Sequence, residues 1–108
     1  MIHQFCRVGR LAMLSGGSAV KRDIPPFMMT RELDTRIMGL NSVGLRRAGV
    51  SGEERTQLKR ALKLLYHSDL NVTQAVERMQ TELQGACVRE LIEFIESSKR
   101  GISPWFDA

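Results

Sequence analysis

An aliphatic side chain recurs every six residues at the start of the chain, at Ile2, Val8, Leu14 and Val20. Cys6, Ala12 and Ser18 follow the first three aliphatics by four positions, and Gly9 and Ser15 each stand directly after one. Such a pattern suits a left-handed parallel β-helix, in which three short strands make a triangular coil, aliphatics stack inside and small residues fill the corners. Chance spacing in an apolar chain, or a hairpin turning at Gly16-Gly17, accounts for the same aliphatics and stays open on the interval alone. Stacked repeats bury their core only against neighbours and need about three or more for stability. Residues 1–24 supply little more than one coil, so the expectation is the end of a longer β-helix whose beginning is absent. Pro25-Pro26 closes the pattern, because neither proline can donate to a ladder.

Residues 27–37 read as a connection, after which the spacing becomes helical. Met38 to Arg47 reads as a short helix ended by Gly49, and Ser51 with Glu54 forms a capping box for the next. That helix carries Leu58, Ala61, Leu62 and Leu65 on one face. Asn71 with Gln74 opens a third, striped by Val72, Ala75, Val76, Met79 and Leu83, with Gly85 placed to stop it. The fourth spans Ala86 to Lys99 with Val88, Leu91, Ile92 and Ile95 inward and Gly101 as its C-terminal cap. The expected fold class is α+β: the end of a left-handed parallel β-helix over residues 1–26, followed by a small antiparallel four-helix domain over residues 27–108.

With 108 residues, 43% apolar and 26% charged, the chain is sized for one compact domain and is too short for a large enzyme. Sixteen Lys and Arg against twelve Asp and Glu leave a charge of +4, which suits an acidic partner, a phosphorylated ligand or nucleic acid without choosing among them. Cys6 and Cys87 match no metal spacing, and a reducing cytoplasm fits. No apolar stretch approaches the roughly 20 residues that span a bilayer, and no export signal opens the chain.

Few side chains are candidates for chemistry. His3 sits beside an inward aliphatic, where its side chain is expected to point out into the groove between neighbouring subunits or coils, and a solvated surface histidine is the bland alternative. His67 ends the second helix, where an imidazole caps carbonyls or meets the negative end of the dipole. Arg46-Arg47 closes the short first helix beside Gly44 and Gly49, where a guanidinium can grip phosphate in bidentate fashion; a helix-capping role competes. Among nucleophile triads, phosphate-binding loops and dinucleotide glycine patterns, none is present.

Taken together, I-H-Q-F-C-R-V-G at the start, S-G-G-S, D-I-P-P-F at 23–27, G-L-N-S-V-G-L-R-R-A-G at 39–49, A-L-K-L-L-Y-H-S at 61–68 and S-K-R-G-I at 98–102 resemble the C-terminal part of the acyl carrier protein:UDP-N-acetylglucosamine O-acyltransferase family. The resemblance runs over nearly the whole chain in order. It implies a homotrimer with sites between adjacent β-helices and transfer of an R-3-hydroxyacyl group from the carrier thioester to the 3-hydroxyl of UDP-N-acetylglucosamine, the first step of lipid A synthesis. It implies no metal or organic cofactor, a general-base histidine on an earlier coil, and a backbone N–H at the oxyanion. By the same resemblance His3 and Gln4 line the nucleotide-sugar site, Gly16 lies where the acyl chain passes, and Asn41 and Arg47 hold the nucleotide, Arg47 on phosphate.

The departures bear on nucleotide binding. Glu32 and Leu33 stand where the family usually has Gly-Asn, Val43 and Ala48 where it often has an acid and a second arginine, and His67 where it has an arginine. The family's catalytic histidine lies upstream of Met1, so the chain alone is expected to be inactive. A non-catalytic module that trimerises or binds the carrier protein is the alternative. Nucleic-acid binding is disfavoured, because the positive residues are dispersed among acids over several helices.

Overall fold

The computed structural model describes residues 6–14, 20–31 and 35–106. Its elements are the strands β1 (Met28–Arg31) and β2 (Arg36–Leu40), then the helices α1 (Ser42–Arg47), α2 (Gly52–Tyr66), α3 (Val72–Glu82) and α4 (Ala86–Glu96). Among the described residues the fold is therefore α+β, with four helices and a small sheet.

Before β1 the chain passes over itself in parallel. Val8 bridges Ile24 and Met13 bridges Met29, each pair 16 residues apart. Gly9 makes the pass tight: its N–H donates to the Ile24 carbonyl at 2.8 Å, and a Cβ there would lie 2.3 Å from the Pro26 nitrogen. Of the aliphatics expected to stack inward, Val20 is buried and Leu14 packs against the core, but Val8 is 36% exposed. Val8 is bridged to Ile24 on one side, and no described residue bridges it on the other. Ile2 and Ser18 lie outside the described residues.

The stretch expected to be a connection contains a hairpin. β1 pairs antiparallel with β2, and Met38 is the extra residue where the register shifts between Met29 and Thr30. The helix expected from Met38 therefore begins only at Ser42, because hydrogen bonding to β1 holds residues 38–40 extended and Asn41 is the N-cap. The prolines do not end strand structure either. Met13 lies on the outer side of β1, with the Met13 N–H on the Met28 carbonyl at 2.9 Å. On the far side of β2, Ile37 bridges Trp105 in parallel, and Asp23 likewise bridges Ile102, so the C-terminal segment returns to the sheet.

Local capping sets the helix starts. Ser51 accepts from the Glu54 N–H at 3.2 Å, while Asn71 and Gln74 form the full reciprocal box. The expected box at Ser51 is only half made, because the Glu54 carboxylate is drawn to the start of α4, where it accepts from the Cys87 N–H at 3.1 Å. Two expected stops move. α3 ends at Glu82 and Gly85 is the N-cap of α4, whereas α4 ends at Glu96, with Ser97 rather than Gly101 as its C-cap. α2, α3 and α4 pack on one another and α2 also meets β2, so the helical unit is a three-helix cluster with the short α1 beside it. Leu58, Ala61, Ala75, Met79, Val88 and Leu91 fill its centre and join Ile24, Phe27, Met28 and Ile37 in one core. Removing such apolar area from water is worth about 25 cal/mol per Å², and the helical cluster and the sheet share that stabilisation through their common core.

Candidate functional site

The described candidates gather at α1. Asn41 stands before it with its side chain accepting from the Gly44 N–H at 3.1 Å, so the amide oxygen satisfies a donor the helix start leaves unpaired. Its Nδ2 donates to the Leu11 carbonyl at 2.9 Å, and its backbone N–H donates to Phe27 at 2.7 Å. Both acceptors belong to residues in the left-handed region, Leu11 at φ 60° and Phe27 at φ 70°. Asn41 is thus buried and engaged in three directions at the junction of the N-terminal pass, the hairpin and α1.

At the other end, backbone groups alone close α1. The Gly49 N–H bonds the Arg46 carbonyl and the Val50 N–H bonds the Leu45 carbonyl, each at 3.0 Å, with Gly49 at φ 79°. This is the Schellman arrangement, in which a left-handed residue turns the chain back onto the last carbonyls. It leaves no helix-capping task for an arginine side chain. Arg46 and Arg47 are exposed, and neither guanidinium has an ion-pair or hydrogen-bond partner among the described residues. Buried Leu45 anchors the helix from beneath, so the two guanidinium stems start from a fixed base.

His3, Gln4 and Gly16 lie outside the described residues, as do Glu32 and Leu33. Of the other departures, Val43 is 54% exposed on α1 and Ala48 is the helix C-cap. His67 is the C-cap of α2: its backbone N–H bonds the Lys63 carbonyl, and its ring stands edge-on to Trp105 with centroids 4.2 Å apart. His67 does stand at the helix end as expected, but its backbone N–H and not its imidazole bonds the carbonyl, and the ring packs against the returning tail.

Several contacts that secure this region carry no signal in local sequence. Arg7 donates to the Phe94 carbonyl at 3.0 Å and lies over the Phe94 ring, and Arg10 forms a salt bridge with Glu90 at 2.9 Å. Buried Asp23 accepts from the Arg7 N–H at 2.8 Å and the Ser98 hydroxyl at 2.6 Å. The N-terminal pass is therefore fastened along α4. Near α4's start, burial first and the Glu54 carboxylate second push the Cys87 thiol up to about 11, so it is a protonated donor and not a nucleophile at neutral pH. Among the described residues, no three His, Cys, Asp or Glu side chains are grouped to hold a metal ion, and no helix is long and apolar enough to cross a membrane.

Known proteins share both sequence and fold with this chain. A Myxococcus xanthus protein named acyl-[acyl-carrier-protein]–UDP-N-acetylglucosamine O-acyltransferase is 42% identical over 103 residues, covering 94% of this chain and 40% of its own length. A protein of the same name from Gloeothece citriformis is 38% identical over 97 residues, covering 90% and 35%. The chain thus spans about 40% or less of the length of these curated relatives. A crystal structure of a UDP-N-acetylglucosamine acyltransferase from Bacteroides fragilis superposes with a TM-score of 0.89 at 35% identity, covering 94% of this chain and 40% of that one. The Campylobacter jejuni UDP-N-acetylglucosamine acyltransferase superposes with a TM-score of 0.87 at 32% identity, covering 97% and 41%. Residues 23–103 match the family model described as UDP N-acetylglucosamine O-acyltransferase, domain 2, and the chain belongs to that family.

Proposed function

We propose that this chain is the C-terminal part of an acyltransferase that moves an R-3-hydroxyacyl group from acyl carrier protein to the 3-hydroxyl of UDP-N-acetylglucosamine, the first step of lipid A biosynthesis. The observation that carries the reading is the family match over residues 23–103, which includes the whole of α1 with Asn41 and Arg47. In this reading the parallel pass around Val8 and Met13 is the last coil of a left-handed β-helix, and the complete protein is a cytoplasmic homotrimer with sites between subunits. The sugar hydroxyl attacks the thioester carbonyl carbon, the carbon–sulfur bond breaks, and the carrier leaves as its thiol. A histidine on an earlier coil takes the hydroxyl proton, a contribution of about 10²- to 10⁴-fold.

The part assigned to this chain is binding. Arg47 holds nucleotide phosphate by charge-assisted hydrogen bonds, for which its unpartnered guanidinium and the backbone-closed end of α1 are suited. Asn41, whose amide is already bonded to the Gly44 N–H and the Leu11 carbonyl, serves the nucleotide site by holding the start of α1 in place, while His3 and Gln4 line the sugar and Gly16 leaves room for the acyl chain. No metal or organic cofactor has a part in this chemistry. The alternative, a non-catalytic module that trimerises or binds the carrier protein, is favoured by the uncharged Val43 and Ala48 flanking the arginine pair.

A chimera decides between them. The N-terminal part of the Bacteroides fragilis relative is joined to this chain in place of its own C-terminal segment and assayed with R-3-hydroxyacyl carrier protein and UDP-N-acetylglucosamine. Transfer at a rate within about tenfold of the parent is expected, and the 108-residue chain alone should show none. A folded chimera that binds carrier protein but neither binds the nucleotide sugar nor transfers the acyl group would overturn the enzymatic reading.

A further inference from the structure

We propose that the cleft between α1 and the first half of α2 is a separate anion site, which takes the phosphate or diphosphate group of a small molecule. The cleft has a volume of about 250 Å³, and its walls include Arg46 from α1, Arg55 and Lys59 from α2, Ser42 and Thr56, over a floor of Leu40 and Leu45; the Thr56 hydroxyl donates to the Gly52 carbonyl. Arg47 is not among its walls. Successive residues on a helix diverge by about 100°, so the adjacent arginines of α1 serve different surfaces.

Among the described residues, nothing pairs with the charge around the cleft. None of Arg46, Arg55 and Lys59 forms an ion pair or side-chain hydrogen bond among the described residues. Arg55 and Lys59 stand four apart on α2, a like-charge spacing that disfavours the isolated helix. The nearest acids in sequence are turned away: Glu53 and Glu54 line a different groove with Gln57 and Gln84, and Glu54 is committed to Cys87. Acid and base are thus segregated on two faces of the same turns of α2.

Phosphate is the chemistry that fits best. A single carboxylate would leave two of the three cations unanswered, whereas a phosphate or diphosphate brings two or more charges and oxygens pointing in several directions. Gly52, the first residue of α2, also lines the cleft, so the approach to the start of the helix is not blocked by a Cβ. The volume exceeds several times the roughly 30 Å³ share of one liquid water, which leaves room for a phosphoryl group and part of its carrier.

Inorganic pyrophosphate titrated into the 108-residue chain at low salt, followed by backbone amide NMR, tests the assignment. Saturable shifts centred on Arg46, Gly52, Arg55 and Lys59 are expected. Arg55→Gln combined with Lys59→Gln should weaken binding about tenfold or more, Arg46→Gln should weaken it independently, and Arg89→Gln on α4 should not. Circular dichroism checks that each variant is folded. Shifts that fail to saturate, or equal affinity in the cleft variants, would overturn the site. So would an acidic peptide that occupies the same residues and is not displaced by pyrophosphate, since the cleft would then serve a protein partner.

Discussion

The side chain of Asn41 reaches the Leu11 carbonyl, 30 residues earlier in the chain, with Nδ2 at 2.9 Å from the oxygen. One amide thereby caps α1 and holds a left-handed turn of the N-terminal pass. Asn41→Ala removes both bonds and should destabilise the chain by about 1–3 kcal/mol. Asn41→Asp keeps the cap acceptor but sets carboxylate oxygen against carbonyl oxygen, so it should not restore the loss. Chemical denaturation of the two variants checks this, and an aspartate variant as stable as the wild type would assign the stability to the cap alone.

Gly44 gives a case in which the ordinary rule reverses sign. Glycine to alanine inside a helix usually gains about 1 kcal/mol. A Cβ at Gly44, however, would lie 2.3 Å from the Asn41 Nδ2, so the methyl must displace the amide that holds Leu11. Gly44→Ala is expected to lower stability by about 1 kcal/mol or more, read as a lower midpoint in urea with an unchanged slope.

The tail is tied through Tyr66, whose hydroxyl donates to the buried Ser103 carbonyl at 2.7 Å. Tyr66→Phe leaves that carbonyl unpaired and should cost about 1–3 kcal/mol. The loss should concentrate in the tail, visible as faster hydrogen exchange at the Ile37 and Phe106 amides, which pair across the sheet edge. Uniformly faster exchange through α2 to α4 would contradict the local role.

Alkaline pH should weaken the fold through Cys87 and Tyr66. Burial raises both groups above their ordinary values, Cys87 from 9.0 to about 11 and Tyr66 further. As pH rises above 9 the unfolded thiol ionises while the folded one keeps its proton, so the unfolded state binds fewer protons and stability falls. The Cys87 contribution is complete below about pH 9 and is lost as pH passes 11. Cys87→Ala should flatten the decline between those values, measured by denaturation at pH 8 to 11.

Arg47→Ala in the active chimera should weaken UDP-N-acetylglucosamine binding about 10- to 150-fold, the size of a lost charge-assisted bond. Thermal stability should barely move, because backbone bonds from Gly49 and Val50 already close α1. Unchanged nucleotide affinity in the folded variant would remove Arg47 from the site.

Contacts a few residues apart account for most of what was legible before the chain was seen folded. Asn71 and Gln74 form their reciprocal box, Ser51 caps α2, and the apolar stripes of α2, α3 and α4 face the core except for Val72, which is exposed in the first turn of α3, because each depends on spacing within a turn or two of helix. Arg47 at the end of α1 was legible in the same way, as was the family from its ordered motifs. The remaining features depend on partners far apart in the chain. Met38 to Leu40 carry a helix-compatible pattern, yet pairing with β1 makes them strand, and Glu54 leaves its own helix start for that of α4, 33 residues away. The Asn41 bond to Leu11 and the basic cleft of Arg46, Arg55 and Lys59 likewise join separate elements. Local spacing says nothing of such partners, since they meet only after apolar burial has offset the chain entropy of bringing distant segments together.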